Sequence, residues 1–169
     1  MRSFSLVLLR RLLFRSALAQ QVPLYDVLSA QSLGTIERLL LHSLAHEPST
    51  NVRHKAVDTV ADLANNSMSR GRPWHALQRQ AFAMAEDQNP ALRESAHRVF
   101  AGSPNLIMDL QPDTVVRLLQ KGLEDPGNIE VRVPGTSCAL TMAMRFQPET
   151  TVRIVVSDWL CTLSSAFSH

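Results

Sequence analysis

The chain has little aromatic side chain, little glycine and almost no cysteine: aromatics make up 5%, with 6 Gly and 2 Cys among 169 residues. Two cysteines, Cys138 and Cys161, exclude a disulfide-rich secreted scaffold and a four-cysteine zinc site. The few glycines never fall at phosphate-loop spacing. No stretch reaches the ~18 uncharged apolar residues of a membrane span. An excess of one charge is missing too. With 17 Lys+Arg against 15 Asp+Glu the net charge is +2, which gives no general electrostatic case for nucleic acid. What is present is a 45% apolar, 19% charged composition, that of a folded globular chain rather than a disordered one. The length suits one domain or one segment of a larger one.

Acids are absent before Asp26, while Arg2, Arg10, Arg11 and Arg15 stand among Ser3, Ser5 and Ser16. Basic, acid-free and serine-containing is the composition of a mitochondrial presequence, and Ala17-Leu18-Ala19 has the form of a cleavage site. A secretory signal fits less well, because Arg10 and Arg11 interrupt the short apolar run that starts at Phe4. Against the presequence stands a helical stripe: Leu6, Leu9, Leu13 and Ala17 recur at spacings of three and four, as in a helix of the fold itself. Both readings of residues 1–25 stay open at this stage.

A repeat organises the middle of the chain. Asn51-Val-Arg-His-Lys-Ala-Val57 is similar to Pro90-Ala-Leu-Arg-Glu-Ser-Ala96: in register, Val52, Arg53, Ala56 and Val60 match Leu92, Arg93, Ala96 and Phe100 at a separation of 40. A third copy begins at Val131-Arg132. Self-similarity of about 40–47 residues is the mark of HEAT or armadillo helical hairpins, each of which buries its apolar face only by stacking on the next. The expected fold is therefore all-α, a HEAT-repeat α-solenoid of about three to four repeats.

The apolar pattern divides the chain. Residues 1–25 form a first incomplete repeat or a presequence, and 26–66 a first full repeat. There Leu28, Ile36, Leu39, Leu40 and Leu44 mark a helix over 27–46, and Val52, Ala56, Val60 and Leu63 mark the next. Asn65-Asn66-Ser67 and the Arg70–Pro73 run predict a break, with the loop proper at 67–73. Residues 74–104 form a second repeat, with Trp74 as an anchor or a partner contact. Residues 105–132 start a third, with Val115, Leu118, Leu119 and Leu123 on one side. Residues 133–169 leave the repeat pattern, for Pro134 and Gly135 fall where an alanine-rich helix is expected and a proline inside a helix costs about 3 kcal/mol, but the segment still reads as helical, with an apolar stretch over 136–144 and a further helix over 152–163. A frameshift, a retained intron or a wrong gene boundary would explain this departure and the start before a second-type helix, and a genuine continuation stays open beside them.

Charges recur with the repeat. Glu47 precedes Arg53 by six residues, Asp87 precedes Arg93 by six, and Asp125 precedes Arg132 by seven. An acid in the turn before a helix is favoured by the helix dipole and is placed to pair with an arginine of its own or the adjacent repeat. These six residues are read as a ladder that sets repeat register.

The longer string resembles one family. Leu8-Leu9-Arg10-Arg11-Leu12-Leu13, then Arg53-His-Lys-Ala-Val-Asp-Thr-Val-Ala-Asp-Leu-Ala-Asn65, then Trp74 and Asn89-Pro-Ala-Leu-Arg-Glu-Ser-Ala96, follow in the order found in the karyopherin β-3 branch of the importin-β family. The resemblance continues through Gln111-Pro-Asp, Glu124-Asp125 and Val131-Arg132, and so covers about residues 6–132. It implies an N-terminal piece of a nuclear transport receptor. Such a receptor binds cargo and the GTP form of the small GTPase Ran, touches nuclear-pore Phe-Gly repeats through slots between outer helices, and moves between cytoplasm and nucleus. It further implies that the second helix of each hairpin lines the concave face, which makes Lys55, Asp58, Asp62, Glu94 and Arg98 the exposed candidates for partner binding.

Chemistry of other kinds has little support. His42 and His46 stand at i, i+4, but no HExxH glutamate follows His42. No catalytic nucleophile, metal set or cofactor motif is legible, so an enzyme, a metal and a cofactor are not expected. Two rival functions stay open: a generic HEAT scaffold for protein–protein contacts, and a mitochondrial protein. Unpaired apolar faces on terminal repeats lead to an expectation of self-association.

Overall fold

Apolar residues at intervals of three and four make helices, and every regular element among the described residues is helical. The computed structural model describes residues 2–14, 22–145, 154–159 and 161. Ala17, the Ala17-Leu18-Ala19 triplet and His169 lie outside the described residues. The elements are α1 (Arg2–Phe14), α2 (Leu24–Val27), α3 (Ala30–His46), α4 (Thr50–Ser69), α5 (His75–Ala85), α6 (Pro90–Gly102), α7 (Asn105–Met108), α8 (Pro112–Leu123) and α9 (Ile129–Arg145). Residues 154–159 are also helical. The chain divides into two compact units, residues 1–80 and 81–169.

In the first unit α3 and α4 form a hairpin and α1 packs along α4. Ser29 starts α3, its hydroxyl accepting the Ser32 N–H at 3.1 Å. The inward face of α3 is Leu33, Leu40 and Leu44, facing Ala56, Val57, Val60, Leu63 and Ala64 of α4. Two expectations change here. Leu39, read as part of the inward stripe, is 61% exposed, because the stripe turns through Leu33, one helical position away. Asn65, Asn66 and Ser67, read as a break, lie inside α4. The Asn66 side chain there donates to the Asp62 carbonyl at 2.9 Å, so its amide follows the helix instead of capping it. The turn comes later, at Gly71, whose φ of +72° suits glycine.

The second unit is built on α6, α8 and α9. Pro90 and Pro112 occupy first-turn positions of α6 and α8, where a missing N–H costs nothing. Pro134 does not end α9, which runs unbroken from Ile129 to Arg145. Pro134 and Gly135, expected to interrupt the helix after Arg132, lie inside it. Val131, Cys138, Ala139 and Met142 form one buried stripe on α9. At roughly 1.5–3 kcal/mol for each large apolar side chain, their burial outweighs the ~3 kcal/mol cost of an internal proline.

Glycine is required next to that proline. A Cβ on Gly135 would stand 2.5 Å from the backbone C and O of Gly122, so α8 and α9 meet backbone to backbone. A Cβ on Gly122 would in turn stand 2.6 Å from the His97 ring of α6. Gly34 differs, since a Cβ there meets nothing within 4 Å.

The two kinds of glycine predict opposite signs. Gly135→Ala forces α8 from α9 and is expected to lower stability by about 1–3 kcal/mol. Gly34→Ala removes a helix-interior glycine without a clash and is expected to raise it by up to about 1 kcal/mol. Urea denaturation midpoints of the two variants check this, and shifts of the same sign would refute the close-approach account.

Candidate partner-binding surfaces

The repeated arginine sits at the fourth residue of its helix and reaches back over the turn before it. Arg53 Nη1 donates to the Glu47 carbonyl at 3.2 Å, and Arg93 Nη1 donates to the Asp87 carbonyl at 2.8 Å. The acid six residues earlier thus offers its own-repeat arginine a backbone oxygen rather than its carboxylate. The carboxylates serve the turn. Glu47 Oε1 accepts the Ser49 N–H at 3.1 Å, and Asp87 Oδ1 accepts the Asn89 N–H at 2.7 Å.

The carboxylates also take an arginine from an earlier helix. Arg2 of α1 pairs with Glu47 at 2.9 Å, and Arg93 of α6 grips Asp125 with two bonds of 2.6 and 3.0 Å. The Arg93 guanidinium holds the Asp125 carboxyl below the usual carboxylate range. Arg132 also stands fourth in its helix, yet it is exposed. The turn before it, Asp125-Pro-Gly-Asn128, is one residue longer, and Gly127 at φ +85° redirects it.

Among the five residues expected on the partner face, three come together. Lys55 and Asp58 of α4 pair at 3.6 Å, and Arg10 of α1 pairs with Asp58 at 3.9 Å and with Asp62. They border a groove of about 320 Å³ lined by Val7, Arg10, Arg11, Phe14, Lys55 and Asp62. Arg10 and Arg11, whose basic character suggested a presequence, here line a surface of the first unit. Glu94 requires correction. It is 4% exposed, because α6 is buried over most of its circumference, and its carboxylate accepts from Arg98 at 2.9 Å.

A second surface was not legible as a site. Residues of α3 and α5 border an open slot of about 470 Å³, lined by Gly34, Leu41, His42, Ala45, Trp74 and Gln80 among others. Trp74 is 5% exposed and anchors the slot's floor. The Gln80 amide closes one end by donating to the Leu41 carbonyl at 2.7 Å. His42 and His46 stack with ring centroids 4.3 Å apart, and His46 Nδ1 lies 3.0 Å from the His42 carbonyl. Among the described residues no three metal-ligating side chains converge. Burial pushes the Cys138 thiol up to about 12, which keeps it a packing group rather than a nucleophile.

Helical hairpins with this turn chemistry define the HEAT-repeat class of fold. The family described as "IPO5-like, TPR repeats" matches residues 48–168, most of the chain, and carries through the segment after Arg132. The chain belongs to that family, in the karyopherin β-3 branch of the importin-β family. Importin subunit beta-3 of Saccharomyces cerevisiae is 26% identical over 93 residues, which are 55% of this chain and 8% of that protein. The crystal structure of Kap121p bound to Pho4p superposes with a TM-score of 0.77 at 20% identity, over 98% of this chain and 15% of that one. The structure of Kap121p bound to RanGTP gives a TM-score of 0.74 at 20% identity, with the same coverage. Kap121p bound to Nup53p gives 0.74 at 20% identity, over 95% of this chain and 14% of that one. These likenesses establish the HEAT-repeat karyopherin fold.

His97 makes the second unit sensitive to acid. It is 1% exposed, its Nδ1 has no hydrogen-bond partner among the described residues, and burial lowers its pKa to about 4. The unfolded chain titrates near the ordinary 6.5, so between these values the unfolded state holds the extra proton. The His97 contribution is complete above about pH 6.5 and is lost as pH falls toward 4, by an amount on the order of 3 kcal/mol. Asp125, whose folded pKa is depressed, acts in the same direction at lower pH. Stability measured from pH 7 to 4 should fall in the native chain and flatten in His97→Met; equal slopes would sink the assignment.

Proposed function

We propose that this chain is a partner-binding segment of a nuclear transport receptor, gripping Ran in its GTP form and protein cargo. The family match over residues 48–168 carries the reading. The groove between α1 and α4 supports it, because Arg10, Lys55, Asp58 and Asp62 pair with one another at the surface and exchange partners at little cost. The chain spans 8% of the yeast relative, so recognition of a whole cargo belongs to a longer receptor surface. The mechanism is binding, with no covalent step, and the setting is cytoplasm and nucleus.

The slot between α3 and α5 is proposed as the place where a Phe side chain of a pore Phe-Gly repeat seats, on the apolar faces of Leu41, Ala45 and Trp74.

Biolayer interferometry with Ran loaded with a non-hydrolysable GTP analogue or with GDP tests the main reading. The GTP form is expected to bind at least about tenfold tighter, and Lys55→Glu to slow its association. Equal affinity for both nucleotide forms would overturn it in favour of a generic HEAT scaffold. Gly34→Met fills the open side of the slot without disturbing the core and is expected to abolish Phe-Gly peptide binding while leaving Ran binding intact.

A further inference from the structure

The turn after α4 is held by two arginines whose attachments would be reorganised by one modification. Arg70 donates Nε and Nη2 to the two Asp26 oxygens at 2.7 and 3.1 Å, and its guanidinium lies 4.8 Å from the centre of the Tyr25 ring. Both partners belong to α2, a single turn of four residues. Arg72 likewise grips Glu37 of α3 at 2.7 and 3.1 Å. Below them, buried Ser67 closes the turn, its hydroxyl donating to the Arg72 carbonyl at 2.8 Å.

Ser69 stands at the edge of this arrangement, exposed, as the last residue of α4. Its hydroxyl donates to the Asn66 carbonyl at 3.0 Å. Arg70 Nη1 donates to the same oxygen at 3.1 Å. Two donors on one acceptor lie no more than about 6 Å apart, a gap that a phosphoryl group on Ser69 Oγ would bridge to the guanidinium.

We propose that Ser69 is a phosphorylation site, and that its phosphate captures Arg70 from Asp26 and releases α2. Ser69-Arg70-Gly71-Arg72 places two arginines immediately after the serine, one and three residues on, in an exposed turn. The serine oxygen attacks the γ-phosphorus of ATP, the bond from that phosphorus to the bridging oxygen breaks, ADP leaves, and the hydroxyl proton passes to the kinase's base. The product is a dianion at a helix C-terminus, where the dipole disfavours it. Its nearest relief is a charge-assisted pair with Arg70, which the Asp26 carboxylate then loses. With Arg70 gone, α2 keeps its aromatic contact between Phe14 and Tyr25, at 6.0 Å, but not its charged clamp.

The test uses the full chain. Incubation with ATP and a basophilic serine kinase is followed by peptide mass mapping, and hydrogen exchange is measured on the native chain, the chain carrying encoded phosphoserine at 69, and Asp26→Asn. The expected result is phosphate on Ser69, absent in Ser69→Ala, with exchange at residues 24–27 faster by about tenfold in both the phosphoserine chain and Asp26→Asn. Two results would overturn the proposal: no phosphate on Ser69 in the folded chain when a peptide spanning 64–74 is phosphorylated, or unchanged exchange at 24–27 in the phosphoserine chain while Asp26→Asn accelerates it.

Discussion

The contact on which the second unit depends is the meeting of two backbones at Gly122 and Gly135. Neither position has room for a methyl group, and the space above Gly122 is filled by the His97 ring. Three helices are therefore located at one point, α6 through an imidazole, α8 and α9 through bare peptide. Helices normally pack 8–10 Å apart, held off by their side chains, so glycines at the crossing remove that spacer. The close approach has a cost in polar satisfaction, since His97 Nδ1 is left with no partner among the described residues. A neutral imidazole in this place acts as a flat apolar spacer, and its nitrogen is the price of the fit.

The hairpin turns use a different device. Arg53 and Arg93 each grip a turn carbonyl of their own hairpin, and the turn carboxylate is left for backbone N–H groups and for an arginine from an earlier helix. The division follows from geometry: an arginine four residues into a helix faces back over the turn, while Glu47 and Asp125, at the start of their turns, face Arg2 and Arg93 of earlier helices. The Arg93–Asp125 pair is the most buried of these, with the Asp125 side chain 3% exposed. Breaking such a pair strands a carboxylate out of water, so the geometry is enforced by penalty more than by attraction.

Periodicity made the helices and most of the buried face legible: Ala56, Val60 and Leu63, then Ala96, Val99 and Phe100, are buried as their spacing indicated. The repeat of 40 located the arginines and the acids. It did not distinguish a carboxylate from a carbonyl as the partner, because both are offered by the same residue. Asn65 to Ser67 misled because local propensity was outweighed by the burial of Leu63, Ala64 and Ser67 on a long helix. Pro134 and Gly135 misled in the same way, since nothing local to that pair of residues announces that Gly122 is waiting for a backbone without a Cβ. Glu94 was counted as exposed on the assumption that α6 has a free face, and a helix covered on several sides has almost none. The slot between α3 and α5 was hidden for a simpler reason. It is made by residues some 40 positions apart whose individual types, a glycine, a leucine, two histidines and a tryptophan, carry no motif.

Charges in the two roles differ in how readily they change partner. The Arg93–Asp125 pair sits in low dielectric with its hydrogen bonds filled, and exchanging it would leave a buried group unsatisfied. The pairs of Arg10 and Lys55 with Asp58 and Asp62 are about 40% exposed, and water screens each of them. An exposed pair contributes little to stability, so replacing one of its members changes the chain's stability little. A binding surface needs groups of that second kind, oriented in advance by their mutual contacts yet weakly committed to them. The same reasoning separates the two arginines at the end of α4 from those at the hairpin turns. Arg70 and Arg72 are bidentate and so well aimed, but they are 37% and 44% exposed, which leaves them open to a stronger anion. A committed pair inside, Arg93 with Asp125, and exchangeable pairs outside are thus made by one residue type, arginine, at different burial.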